Sequence, residues 1–173
     1  VNEWYWRDNG FSTLEAQEQA HRPLLDLIPQ VAQGGNIVDL GCGNGVLLKA
    51  LRDHYPNFIP YGVDVNPAAI GHAKQLLPEF ADHFVVGDLF DYRLPRGVDI
   101  VLLMPGRLLE VPVYRASLLL SSLRKSQATV IAYAYGDWVT RYGSLVGLCK
   151  EAGLRLRDAP VVGAISQAGV VEL

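Results

Sequence analysis

The sequence predicts an α/β fold, a doubly wound and mostly parallel sheet with helices on both faces. Three observations lead there. From residue 36 to about 153, short β-branched runs alternate with stretches of helical spacing, the rhythm of β-α-β units. The run over 98–104 is apolar at nearly every position, as in a strand covered on both sides. A glycine-rich turn, Gly41-Cys42-Gly43-Asn44-Gly45, stands where one strand hands over to a helix.

Each element has its own signal. Residues 11–33 show helical spacing through Leu14, Ala20, Leu24, Leu25, Leu27 and Ile28. Ser12 or Thr13 caps the start, and Glu15 completes a capping box with Ser12. Pro23 and Pro29 each remove a backbone donor, so this stretch is expected to kink or divide into two helices. Strands follow at 36–40, 58–64, 83–86, 98–104 and 128–135. Helices are expected over 46–54, from Asn66-Pro67 to about Leu77, over 113–124 and over 140–152. Asn66 accepts from free backbone donors and Pro67 suits a first helical position. Residues 154–162 and 169–173 close the chain as an antiparallel pair.

The 173 residues, 50% hydrophobic and 19% charged, supply a full core for one domain. We read 1–173 as that single domain, with 1–33 as an N-terminal helical cap and 34–173 as the sheet core. A net charge of −3 gives no broad attraction to nucleic acid or anionic membrane. Cys42 and Cys149, the only two cysteines, make neither a metal-ligand set nor a disulfide framework. No apolar run approaches the roughly 18 residues of a membrane span. Val1-Asn2-Glu3-Trp4 lacks a basic region followed by an apolar one, so it does not read as a signal peptide. The start, without an initiator Met, reads as trimmed. The expectation is a cytoplasmic protein with reduced thiols, no metal and no membrane partner.

The chemistry concentrates at strand ends. Glycine lets the chain turn sharply after the first strand and lets a ligand approach the backbone. The helix that follows offers unpaired backbone N–H groups. A dinucleotide fingerprint has the spacing G-x-G-x-x-G, but here Val46 holds the third glycine position. Asp39, at the end of the first strand, sits badly beside a pyrophosphate and well beside an ammonium or sulfonium. Asp64 closes the second strand about 20 residues past the turn, where a carboxylate accepts from ribose hydroxyls. Asp88 follows the third strand, placed to accept from an adenine amine with Val65 and Leu89 flanking the ring. Taken singly, these acids also suit a tight turn, a helix cap and a solvated loop.

Together, Val38-Asp39-Leu40-Gly41-Cys42-Gly43-Asn44-Gly45, the strand-end Asp64, Gly87-Asp88 and Asp99-Ile100-Val101-Leu102-Leu103 resemble the successive motifs of class I S-adenosylmethionine-dependent methyltransferases. The resemblance covers roughly residues 30 to 173. It implies a seven-stranded sheet with an antiparallel last strand and S-adenosyl-L-methionine as the cofactor. It also implies that Asp39 and the Gly41, Cys42, Gly43 and Asn44 turn line the methionine moiety. Asp64 would hold the ribose, Val65, Asp88 and Leu89 the adenine, and Met104 would face the sulfonium. The segment Leu103-Met104-Pro105-Gly106-Arg107 departs from the Asn-Pro-Pro-Tyr pattern of similar enzymes acting on planar amide or base nitrogens. Nucleic acid is therefore disfavoured as a partner.

No catalytic residue is assigned. His54 and His72 fall in helices and His83 begins a strand, which leaves His21 as a candidate base. Tyr5, in Trp4-Tyr5-Trp6, is a second candidate near the cofactor, against a packing role for the cluster. Arg107, Glu110, Tyr135, Asp137 and Trp138 project from the same sheet edge and are candidates for an acceptor site. The expected activity is methyl transfer to a small-molecule acceptor by in-line displacement, driven by proximity and desolvation. Transfer to protein or RNA, and a non-catalytic cofactor-binding module of this fold, are the alternatives. The oligomeric state stays open, with a homodimer among the options.

Overall fold

The computed structural model describes residues 2–173; Val1, the first residue of the expected cap, lies outside them. The elements run α1 (Trp4–Arg7), α2 (Leu14–Val31), β1 (Gly35–Leu40), α3 (Val46–His54), β2 (Phe58–Asp64), α4 (Pro67–Leu76) and β3 (Phe84–Val86). The second half continues with β4 (Val98–Leu103), α5 (Val113–Ser126), β5 (Thr129–Tyr135), α6 (Asp137–Tyr142), α7 (Leu145–Glu151), β6 (Arg155–Leu156), β7 (Val161–Val162) and β8 (Ser166–Glu172).

The strands form one sheet in the order β3-β2-β1-β4-β5-β8-β6, with β7 also on β8. Pairs among β1 to β5 are parallel, and β8 runs antiparallel to β5. The sheet has eight strands because the expected strand over 154–162 is interrupted. β6 pairs with Val171 and Glu172, β7 pairs with Gln167 and Ala168, and Pro160 lies in the gap. Proline donates no ladder bond, so a break on an edge strand is where it belongs.

Side chains alternate across the sheet and build two cores. Ile37, Ile100, Leu102 and Ile131 face one core with Leu24, Ile28, Leu48, Leu51 and Ile70 of α2, α3 and α4. Val38, Leu40, Val101, Leu103 and Ala132 face the other with Leu119, Leu123, Leu145 and Leu148 of α5 and α7. β1 and β4 are central, which explains why the sequence there is apolar at consecutive positions.

Two helical expectations change. α2 continues through both prolines, capped by the Thr13 hydroxyl accepting from the Ala16 N–H. Pro23 removes the partner of the Gln19 carbonyl, but the Ser166 hydroxyl of β8 donates to that carbonyl at 3.3 Å. The orphaned acceptor is satisfied from outside the helix, so no break is needed. In contrast, the expected helix over 140–152 divides. Gly143 takes a left-handed conformation, and the Ser144 hydroxyl accepts from the Gly147 N–H to start α7. Among the described residues, no helix is long and apolar enough to cross a membrane.

Candidate functional site

The C-terminal ends of β1, β2, β4 and β5 meet the glycine turn at one edge of the sheet, and two cavities open there. The first, about 350 Å³, lies on the α2 and α3 side. Its walls include Asp39, Gly41, Cys42, Gly43, Tyr133, Tyr135 and His21. The second, about 220 Å³, lies on the α5 side, between Val63, Val65, Asp88, Leu89 and Phe90. Gly41, Asp64 and Arg107 border both. A ligand longer than either cavity therefore crosses the sheet edge at Asp64.

The turn itself is tightly determined. The Gly41 and Cys42 N–H groups both donate to the Val63 carbonyl, at 2.9 and 3.0 Å. The Gly43 N–H donates to Asp64 Oδ2 at 2.9 Å, and the Asn66 N–H to Oδ1 at the same distance. Each oxygen of Asp64 has thus used one lone pair and keeps another. Gly43 has a φ of +53°, and a Cβ there would run into the Asn9 side chain. Any other residue would be strained and would collide with the N-terminal segment.

Burial sets the electrostatics of the first cavity. Asp39 is 2% exposed, and loss of solvent pushes its carboxyl up to about 7. The Tyr133 hydroxyl, donating at 3.3 Å, works against that shift, and the nearby Asp64 charge adds to it. His21 is shifted the other way, down to about 4, by burial alone. Cys42 is also raised by burial, so its thiol stays protonated. At the second cavity the acid is far less buried, with the Asp88 side chain 41% exposed. Asp88 accepts from the Phe90 N–H at 2.9 Å and from Arg115 at 3.2 Å, and Arg115 also bonds Asp91 at 2.9 Å.

Residues 37–125 match the family described as methyltransferase domain, a span that takes in the glycine turn, Asp64 and Asp88. The chain belongs to the methyltransferase-domain family. Its fold is that of class I methyltransferases, the class whose cofactor is S-adenosylmethionine. Among curated relatives, a trans-aconitate 2-methyltransferase of Klebsiella pneumoniae is 33% identical over 90 residues. That match takes in 51% of this chain and 35% of the relative. A ribosomal RNA large subunit methyltransferase G of a Shewanella strain is 40% identical over 91 residues, 49% of this chain and 24% of the relative. The chain thus matches only about a third or less of the length of these relatives. A solved structure from Pyrococcus horikoshii superposes with a TM-score of 0.68 at 18% identity, covering 99% of both chains. The N-methyltransferase NodS of Bradyrhizobium japonicum superposes at 0.67 and 16% identity, over 93% of this chain and 98% of its own.

Within the methyltransferase domain, the sequence-predicted residues divide. Asp39, Gly41, Cys42, Gly43 and Asp64 border the first cavity, and Val65, Asp88 and Leu89 the second. Asn44 and Met104 border neither. Asn44 is fully buried and holds the N-terminal segment. Its Nδ2 donates to the Trp4 and Tyr5 carbonyls at 3.0 Å, and its Oδ1 accepts from Asn9 Nδ2 at 2.7 Å. Its side-chain amide is therefore spent on the protein. Met104 packs into the α2-side core at 6% exposed, while Arg107, three residues on, reaches both cavities.

Of the two candidate bases, His21 borders the first cavity. Tyr5 borders a separate hollow between α2 and α3. Trp4 stacks on His72 at 4.0 Å, and His72 pairs with Asp8 at 2.6 Å, so this part of the aromatic cluster packs the N-terminus down. Tyr133, Asn9 and Arg115 are site residues that sequence reasoning missed. Only Tyr133 had a usable signal, because period-two alternation along β5 puts it on the face of Asp39.

Proposed function

We propose that this chain binds S-adenosylmethionine across both cavities and transfers its methyl group to a small-molecule acceptor by in-line displacement. The carrying observation is Asp64, set between a cavity with a buried acid on one side and an apolar-flanked cavity with a partly exposed acid on the other. Asp39 gives the fit test. A carboxyl raised to about 7 by burial gains strongly from a cation placed beside it, as the ammonium of a methionine moiety would be.

The residues then take these roles. Asp39 holds the ammonium, and the free lone pairs of Asp64 accept from the ribose hydroxyls. Gly43 keeps the backbone low beneath the ligand. Val65 and Leu89 flank the purine, and Asp88 shares its carboxylate between Arg115 and the exocyclic amine. The bound cofactor supplies the activated methyl group. The protein contributes position and exclusion of water. His21, shifted to about 4, is a weak base at neutral pH, so no general base is assigned.

The trans-aconitate methyltransferase relative supports a small acceptor, as do the small cavities. The ribosomal RNA methyltransferase relative favours a second reading, methyl transfer to RNA. Calorimetry with S-adenosylmethionine and its demethylated product tests the primary reading. Both should bind, and Asp64→Ala should weaken binding by about 1–3 kcal/mol through loss of charge-assisted bonds. No heat from either ligand, or equal affinity in the variant, defeats it.

A further inference from the structure

We propose that the methyl acceptor is a small carboxylic acid, gripped as its carboxylate by the Arg107 guanidinium where the two cavities meet, and released as a methyl ester. This rests on the methyl-transfer reading above and names its acceptor class.

Arg107 lies in the turn Pro105–Leu109 after β4. Among the described residues it is the only Arg or Lys bordering either cavity, and it borders both. A guanidinium offers five N–H donors in a planar fork that matches a carboxylate. One of these is used, by Glu110 Oε2 at 2.9 Å from Nη1. That pair is about half exposed on both sides, so water and ligands compete with it easily. Every other charged side chain lining the cavities is acidic, namely Asp8, Asp39, Asp64, Asp88 and Glu110, and Arg115, just behind Asp88, is held by Asp88 and Asp91. An anionic acceptor is repelled from those walls and has one foothold. Tyr133 and Tyr135, with Phe11 packed 4.9 Å from Tyr135, close the side of the first cavity and leave an aromatic wall for the acceptor's body.

The chemistry needs no base. A hydroxyl or an ammonium must shed a proton before or during attack, and His21 is poorly suited to take it. A carboxylate is already ionised at neutral pH. One of its oxygens donates an electron pair to the methyl carbon, forming the C–O bond. The C–S bond breaks with its pair going to sulfur, which turns from sulfonium to neutral thioether. No proton moves, and charge balances as anion and cation become two neutral groups.

A guanidinium here also suits the cofactor's own carboxylate, and the experiment separates the two. The full chain is given S-adenosylmethionine with a labelled methyl group and, in turn, benzoate, fumarate or citrate, or total RNA. Alkali then releases label held as a methyl ester. Binding of each acid to protein saturated with S-adenosylhomocysteine is measured by calorimetry, which needs no turnover.

The proposal expects alkali-labile label with at least one acid. It expects Arg107→Gln to lower both that labelling and acid binding by about tenfold or more. Affinity of the variant for S-adenosylhomocysteine should stay within about twofold of wild type, and Arg107→Lys should fall between the two. A tenfold loss of S-adenosylhomocysteine affinity in Arg107→Gln overturns it, because the guanidinium then serves the cofactor. Label confined to alkali-stable product, including label on RNA, overturns it, as does labile label with none of the three acids. Failure of wild type to bind S-adenosylhomocysteine fells the underlying reading instead, and this proposal with it.

Discussion

The two cavities that meet at Asp64 are built on opposite electrostatic plans. On the α2 side, Asp39 and His21 are buried, each displaced toward its neutral form. On the α5 side, Asp88 is 41% exposed in its side chain and already bonded to Arg115. Charge in the first cavity is costly until a counter-charge arrives, so a cationic ligand is rewarded strongly there. Charge in the second is solvated and shared, so the same kind of contact contributes little. The difference teaches that strand-end acids of similar sequence context differ in energetic weight according to which face of the sheet covers them.

The sharpest break of that comparison is Asp39→Asn. The variant keeps the shape and a partner for Tyr133 but loses the charge. Affinity for S-adenosylmethionine should fall by about 3 kcal/mol, the scale of removing one member of a buried pair. The ligand-free protein should be no less stable at pH 8, since a buried ionised carboxyl has gone. A calorimetric titration and a thermal melt check both halves. In wild type, affinity should rise with pH up to about 7 and then level, because a raised Asp39 must lose its proton to meet the cation.

His21 gives the next effect, in stability alone. Its folded value of about 4 lies below the usual 6.5, so the unfolded chain takes up a proton first as pH falls. The stability it contributes is complete above 6.5 and is lost between 6.5 and about 4. That loss should reach on the order of 2–3 kcal/mol, and His21→Leu should flatten this part of the denaturation profile. An unchanged acid limb argues against burial of the imidazole.

Smallest is Asp88→Ala. Here S-adenosylmethionine affinity should drop by at most about 1 kcal/mol, measured on the same titration as Asp39→Asn. If the two variants proved equal, the contrast between the cavities would be lost.

Much of this was legible because it is local. A carboxylate at a strand's C-terminal end is placed by the strand itself, so Asp39, Asp64 and Asp88 arrived at the sheet edge as their positions implied. The division at Gly143-Ser144 is also local, yet the expectation of one helix over 140–152 passed over it: glycine followed by a capping serine outweighs helical spacing on either side. What stayed hidden depends on partners distant in the chain. Pro23 is tolerated in α2 because of Ser166, 147 residues away from the carbonyl it serves. Asn44 sits in the ligand turn by sequence but serves Trp4, Tyr5 and Asn9, some 35 to 40 residues earlier. Tyr133 meets Asp39 across 94 residues and two strands of the sheet order. Spacing along the chain carries no record of such meetings.

The central claim is that one ligand lies across both cavities, bent over Asp64. A crystal structure with S-adenosylhomocysteine tests it most directly. The account predicts the amino-acid end against Asp39, the ribose on Asp64 and the purine between Val65 and Leu89. A ligand lying wholly within one cavity, or lying with its ends exchanged, would contradict it.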